Sequence, residues 1–128
     1  MQHAPAHDSF ASSRAQLRET QRDRLLGLLR DIAGTNVFYR AKLSGLNLVA
    51  AAGWSLEALL DALPFTTKDE LLQDQELAPP YGTNLTYPLE RYVRMHQTSG
   101  TTGRPLRVLD TAESWAWWAE IWGLVSRA

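Results

Sequence analysis

The sequence predicts an α/β fold that is mostly helical, with a short pair of β-strands framing a loop rich in glycine and hydroxyl side chains. Apolar residues between positions 25 and 32 recur every three to four residues, which is typical of one helix face. Residues 92–97 alternate in side-chain character, which favours a strand, and residues 106–109 suggest a returning strand. The loop between them, residues 98–105, has no large side chain before Arg104.

The first two helices are predicted near the N-terminus. Residues 10–33 form the first, with Leu25, Leu28, Leu29 and Ile32 on its apolar face. We expect Gly34 to end this helix in a left-handed conformation. A second, short helix should follow over residues 37–43, and its aromatic side chains should face inward.

Two further helices have recognisable N-caps. The third helix should begin after Ser55, its expected cap, and end before Pro64. Thr67 and Glu70 have the spacing of a capping box, so the fourth helix should run to about Gln75.

A tryptophan-rich segment predicts the last helix. Asp110 or Thr111 is the expected N-cap, and the spacing of Asp110 and Glu113 fits a capping arrangement. Apolar residues at helical spacing form one face, namely Trp118, Ile121, Trp122 and Val125. Others spread to the remaining sides, namely Trp115, Trp117 and Leu124. Such a helix is typical of a large core, so we expect further protein to cover it; a dimer interface is the alternative.

Length and composition set broad limits. The chain has 128 residues, the size of one domain, and we expect residues 1–9 to be a disordered tail and residues 10–128 to form the domain. A net charge of −1 argues against a nucleic-acid partner. The absence of cysteine excludes disulfides, thiolate metal sites and a cysteine nucleophile.

No membrane partner is expected either. The apolar stretches are too short to span a bilayer, and no signal pattern is visible at the N-terminus. A cytoplasmic location is the resulting expectation.

The loop at residues 98–105 has the composition of an anion site. Gly100 and Gly103 would let backbone N–H groups approach a ligand closely. Further donors come from hydroxyl side chains, namely those of Thr98, Ser99, Thr101 and Thr102. Arg104 adds a positive charge suited to phosphate oxygens. The glycine spacing is not that of a Walker A loop, and a bare Gly-Thr-Thr-Gly turn would favour a polar hairpin without a ligand.

The full octapeptide TSGTTGRP resembles the phosphate loop of adenylate-forming enzymes. Together with the blocks at residues 36–40, 63–71 and 92–97, it resembles the N-terminal part of the phenylacetate–CoA ligase family over roughly residues 14–128. One departure is Arg104, because many members of the wider superfamily carry lysine there. Arginine keeps the positive charge, but its guanidinium group is planar and carries several N–H donors, whereas the lysine ammonium is a compact point charge.

The resemblance implies a reaction. A carboxylic acid such as phenylacetate would attack the α-phosphate of ATP, and coenzyme A would then displace AMP to give a thioester. ATP, Mg²⁺ and coenzyme A are the implied cofactors, with Mg²⁺ held mainly by phosphate oxygens and water, so no metal ligand is assigned to the chain. The implied phosphate site consists of Thr98, Ser99, Gly100, Thr101, Thr102, Gly103 and Arg104. His96 either contacts substrate or acts as a base, or it serves as a packing and hydrogen-bonding residue.

Enzymes of this family are several times larger than this chain. We therefore expect an N-terminal fragment of the large domain, truncated after the phosphate loop and inactive alone, with the catalytic residues unknown. A homodimer would suit the family. Two alternatives stay open: a small interaction or regulatory protein that docks through the tryptophan-rich helix, and a free-standing phosphate-binding module.

Overall fold

The computed structural model describes residues 14–99 and 103–127, and it is mostly helical with one two-stranded sheet. Its elements are α1 (Arg14–Thr35), α2 (Val37–Lys42), a 3-10 turn (Ala50–Gly53), α3 (Leu56–Ala62), α4 (Lys68–Leu77), a second 3-10 turn (Leu89–Arg91), β1 (Tyr92–Gln97), β2 (Arg107–Thr111) and α5 (Ala112–Val125). The predicted mixture of elements is confirmed, and the expected tail at residues 1–9 lies outside the described residues.

The apolar core is built by the first three helices and their connections. Its buried members are Leu26, Leu29, Leu43, Ala51 and Leu59. The core-facing side of α1 also includes the half-buried Leu25 and Ile32, whereas Leu28 is 55% exposed. Leu28 nevertheless lines one groove together with Leu25, Leu29 and Ile32, so the predicted apolar face is confirmed, with Leu28 at its exposed edge. The buried Leu26 was not predicted as part of this face.

The junction between α1 and α2 is formed by Asn36 and not by Gly34. Helix α1 continues past Gly34, whose φ is not positive, and the Asn36 amide still donates to the Ile32 carbonyl at 2.9 Å. Asn36 then adopts an extended backbone, and its Oδ1 accepts from the Tyr39 amide at 3.0 Å as the N-cap of α2. The predicted left-handed stop at Gly34 is thus replaced by a side-chain cap, which satisfies an otherwise unpaired amide.

The Asn36 side chain also reaches the second half of the chain. Its Nδ2 donates to Asn84 Oδ1 at 2.9 Å and to Thr86 Oγ1 at 3.2 Å, and the residue is only 2% exposed. The Thr86 amide in turn donates to the Tyr92 hydroxyl at 2.9 Å, at the start of β1. A polar relay that begins at the buried Asn36 and continues through half-buried partners therefore connects the helical core to the hairpin.

The predicted caps of α3 and α4 are confirmed. Ser55 Oγ accepts from the Ala58 amide at 3.2 Å. Thr67 Oγ1 accepts from the Glu70 amide at 3.3 Å, and Glu70 Oε2 accepts from the Thr67 amide at 2.7 Å, which completes the capping box. Helix α4 runs two residues beyond the predicted Gln75 and ends at Leu77.

The two strands form an antiparallel hairpin. Met95 lies opposite Leu109 and Gln97 opposite Arg107, with an irregularity between Tyr92 and Arg94. Strand β1 agrees with the prediction, whereas β2 begins and ends later than the predicted residues 106–109.

The N-cap of α5 is Thr111, whose hydroxyl accepts from the Ser114 amide at 3.2 Å. Of the two predicted caps, Asp110 is therefore excluded, and its carboxylate accepts from the Ser114 hydroxyl at 2.9 Å instead. Among the residues that the structure describes, no helix has the length and apolar character needed to cross a membrane.

Replacing Asn36 should destabilise the fold strongly. Asn36→Ala removes a cap and two side-chain hydrogen bonds at a buried position, and we expect a loss of about 2–3 kcal/mol in the free energy of unfolding. Urea titration measures it. Asn47→Ala is the matched control, because Asn47 is exposed and accepts from the Val49 and Ala50 amides at 3.1 Å; about 0.5–1 kcal/mol is expected there. Equal losses of unfolding free energy in the two variants would contradict the role assigned to the hydrogen bonds of Asn36.

The capping box should make stability depend on pH. The Lys42 ammonium and the Thr67 amide bond the Glu70 carboxylate and hold its pKa below the ordinary value of 4.5. Because the folded pKa is the lower one, this stabilisation is complete above the unfolded pKa and is lost as pH falls through the folded pKa. The stability gap between the wild type and Glu70→Gln should therefore shrink between about pH 6 and about pH 3 in urea titrations. A stability difference between the wild type and Glu70→Gln that stays constant across this pH range would exclude the proposed contribution of the capping box. Glu90→Gln, which removes a carboxylate outside the capping box, serves as the control.

Candidate functional site

The candidate loop connects β1 to β2, and Thr98 closes its base. The Thr98 amide donates to the Leu106 carbonyl at 2.9 Å, and the Leu106 amide donates to Thr98 Oγ1 at 3.0 Å. Among the residues that the structure describes, the Thr98 hydroxyl accepts one bond, from the Leu106 amide, and a hydroxyl can also donate. Thr98 therefore shapes the loop as well as offering a donor.

Gly103 shows why a glycine is needed on the returning side of the loop. Its φ is +79°, a left-handed backbone conformation that side chains with a Cβ rarely adopt. No atom of residues 14–99 or 103–127 that could crowd a side chain lies within 4 Å of the position that a Cβ would occupy, so the constraint described here comes from the backbone. Ser99 and Gly103 are both exposed, while the predicted site residues Gly100, Thr101 and Thr102 lie outside the described residues.

Arg104 forms an ion pair with Glu76 of α4. The two side chains are 53% and 59% exposed, so both remain accessible to solutes. A cleft of about 230 Å³ lies here between α4 and the loop, and Gly103, Arg104 and Arg107 contribute to its wall. The structure thus places the predicted cation beside the loop, with its guanidinium bound to a carboxylate.

Gln75 fixes the end of the loop to α4. Its Nε2 donates to the Arg107 carbonyl at 2.6 Å, and its Oε1 accepts from the Arg107 amide at 3.1 Å. The Gln75 side chain therefore bonds both the N–H and the C=O of Arg107, as the backbone of a neighbouring strand would. The Arg107 guanidinium donates to the Pro80 carbonyl at 3.1 Å and to Gln97 Oε1 at 3.3 Å. Sequence reasoning did not identify Gln75, because nothing in its local pattern indicates a partner 32 residues away.

Asp74 organises the neighbouring segment in a similar way. Its carboxylate accepts from the Thr83 amide at 2.7 Å, the Thr83 hydroxyl at 2.6 Å and the Asn84 amide at 3.2 Å. Gly82 has φ +79°, and a Cβ there would collide with the Asp74 carboxylate. Asp74 was also missed from sequence, since its partners are chiefly backbone groups of a loop.

His96 contacts one residue of β2 and one residue of α5. Its Nε2 lies 3.0 Å from Asp110 Oδ2, and its ring stacks on Trp115 with the ring centroids 5.2 Å apart. The Arg94 guanidinium lies 4.0 Å from the centroid of the same indole. These contacts agree with the packing and hydrogen-bonding role that was one of its predicted roles, and they join β1 to β2 and to α5.

The surface of α5 is apolar and exposed, as the sequence predicted. Trp117, Trp118 and Trp122 are 53%, 52% and 62% exposed, and Val125 is exposed beside them. Docking of a partner on this surface stays a prediction.

A phosphate ligand at this loop stays a prediction. Within residues 14–99 and 103–127, no three acidic or histidine side chains lie close enough together to hold a metal ion. The loop instead offers exposed hydroxyl and backbone donors at Ser99 and Gly103, and one guanidinium at Arg104. Such donors suit phosphate oxygens.

No family model and no curated protein matches the chain. Solved structures of 2-hydroxyisobutyryl-CoA ligase are similar to it. The thioesterification state, in complex with 2-HIB-AMP and CoA, matches at a TM-score of 0.74 and 26% identity. An open conformation with the same two molecules matches at 0.73 and 23%, and the postadenylation state with 2-HIB-AMP at 0.73 and 24%.

Each of these matches covers 88% of this chain and 25% of the solved chain. The chain therefore has the fold of one part of an adenylate-forming CoA ligase and spans about a quarter of the length of the ligases that it matches. The comparison supports this wider class and not phenylacetate–CoA ligases in particular.

Removing the Gln75 amide should loosen the loop. Gln75→Ala deletes both bonds to the Arg107 backbone, and we expect a loss of about 1–2 kcal/mol in stability together with faster amide exchange at Arg107. Gln73→Ala, at an exposed position of the same helix, should have little effect. Hydrogen exchange followed by NMR checks both variants, and an unchanged rate at Arg107 in Gln75→Ala would contradict this anchoring role.

Proposed function

We propose that this chain supplies the phosphate-holding, N-terminal part of an ATP-dependent acid–CoA ligase. The full reaction would convert a carboxylic acid and ATP into an acyl-adenylate and pyrophosphate, and then transfer the acyl group to coenzyme A. The observation that carries the proposal is the fold similarity to a CoA ligase solved with 2-HIB-AMP and CoA. The loop sequence TSGTTGRP, placed between β1 and β2, supports the assignment of the phosphate site.

The loop residues would act through position and charge. In nucleotidyl transfer, fixed donors and cations stabilise charge on the phosphate oxygens without taking part in covalent chemistry. Ser99, Thr101 and Thr102 would donate from hydroxyl or backbone groups, and Gly100 and Gly103 would allow close backbone approach. Arg104 would neutralise charge on the β- and γ-phosphates, with Mg²⁺ bound mainly to the phosphate oxygens.

The acid substrate is the finer part of the proposal. The sequence blocks that resemble phenylacetate–CoA ligases favour an aryl acid such as phenylacetate. The solved ligases act on 2-hydroxyisobutyrate as their name states, so related folds accept different acids. Because the match covers only 25% of the solved ligase chain, we assign to this chain only the contacts with the phosphates.

Calorimetry with Mg·ATP tests the phosphate site directly. We expect the chain to bind with a dissociation constant near 100 μM, about −5.5 kcal/mol. Gly103→Ala should weaken binding by about tenfold, because a Cβ at φ +79° costs roughly 1–2 kcal/mol and distorts the loop. Gly34→Ala is the matched control, since Gly34 is exposed and helical, with open space around its Cβ position.

Competition by shorter nucleotides identifies which phosphates are held. If the loop holds the β- and γ-phosphates, AMP should not displace ATP, whereas inorganic tripolyphosphate should. Absence of ATP binding, or an equal loss in the two glycine variants, would remove the phosphate site from this chain. Displacement of ATP by AMP would mean that the chain recognises a part of the nucleotide other than the β- and γ-phosphates.

A further inference from the structure

We infer that Glu76 holds Arg104 in an autoinhibitory ion pair, which a polyphosphate must displace before it can bind Arg104. The inference rests on the proposed function, because it concerns regulation of the same phosphate site. It uses Glu76, Arg104 and the side chains around their cleft.

The first observation is the contact itself. The Arg104 guanidinium binds one carboxylate oxygen of Glu76 across the cleft between α4 and the loop. A carboxylate and a phosphate present similar oxygens to a guanidinium, which binds either through its planar fork of N–H donors. Glu76 therefore occupies the donors that a phosphate would use.

The second observation is the place of Glu76 in α4. Glu76 lies in the last turn of the helix, where the macrodipole disfavours a negative charge, and that turn contains no basic residue. The helix itself thus gains nothing from a carboxylate at this position. Pairing with Arg104 is what compensates the charge, and this makes Glu76 a partner of the loop more than a stabiliser of the helix.

The third observation is that the pair is held together by its surroundings. The neighbouring Gln75 bonds the Arg107 backbone through two hydrogen bonds, so the end of α4 stays beside the loop. The Arg107 guanidinium is engaged by the Pro80 carbonyl and by Gln97, and not by Glu76. Arg104 is therefore the cation that Glu76 neutralises in this cleft.

The strength of the pair suits a reversible inhibitor. Ion pairs between half-exposed side chains are weak, so a polyphosphate with several negative charges can replace the carboxylate. The competition should still reduce the affinity measurably. Breaking the pair by mutation should tighten polyphosphate binding by about twofold to fivefold.

A double-mutant cycle with inorganic tripolyphosphate tests the inference by calorimetry. Glu76→Gln should bind about twofold to fivefold more tightly than the wild type, and Arg104→Ala should bind more weakly. In the Arg104→Ala background, adding Glu76→Gln should change nothing. Asp69→Asn removes another carboxylate from α4 and should leave the affinity unchanged, which controls for net charge.

Two results would overturn the inference while leaving the proposed function intact. One is a wild-type affinity in Glu76→Gln although Arg104→Ala weakens binding. The other is a gain that persists without Arg104, which would show through-space repulsion in place of a competing ion pair. If neither the wild type nor Glu76→Gln binds tripolyphosphate, the proposed function and the inference both fail.

Discussion

The buried side chain of Asn36 joins two parts of this molecule that otherwise share little apolar packing. The principal core cluster belongs to α1, α2, α3 and their connections, whereas the hairpin and α5 have few buried apolar residues. Asn36 caps α2 with its oxygen and uses its nitrogen to bond Asn84 and Thr86, from which the Tyr92 hydroxyl continues the relay into β1. Since a half-satisfied buried amide would be costly, this relay favours one arrangement of the two parts.

Helix α4 adds a second set of polar anchors, and they explain how an exposed loop is held in place. The consecutive residues Asp74 and Gln75 both bond backbone groups of segments distant in sequence. Asp74 orders the chain after Gly82, and Gln75 orders the return of the loop at Arg107. Backbone groups that would need a neighbouring strand or water are satisfied by side chains instead. A loop supported in this way can present its donors outward without being buried itself.

Interactions between residues close in sequence could be predicted, whereas those between residues distant in sequence could not. Ser55 and the pair Thr67–Glu70 were identified as caps because a cap and its amide partner lie three residues apart. Gly34 was wrongly assigned as a helix stop, because glycine permits a left-handed conformation without requiring it, while the nearby Asn36 supplies a side-chain cap. The anchor at Gln75 could not be predicted, since its partners are the amide and carbonyl of Arg107, which any residue would carry. The alternating side chains of residues 92–97 made it possible to predict that the candidate loop follows a strand. The ion pair between Arg104 and Glu76 could not be predicted in this way, because it depends on tertiary packing.

The cations around the hairpin bear on the proposed phosphate site, because the chain as a whole has a net charge of −1. With so little net charge, phosphate affinity at the proposed site would have to come from the local arrangement of donors and cations. Arg94 lies against the Trp115 indole, and Arg107 donates to the Pro80 carbonyl and the Gln97 amide oxygen. Both guanidiniums are thus positioned by neutral groups and keep their charge uncompensated by these contacts. Arg104 differs, because its partner Glu76 is an anion, and an incoming phosphate would exchange one anionic partner for another. At the proposed site, phosphate binding would exchange the partner of Arg104 and leave the contacts of Arg94 and Arg107 in place.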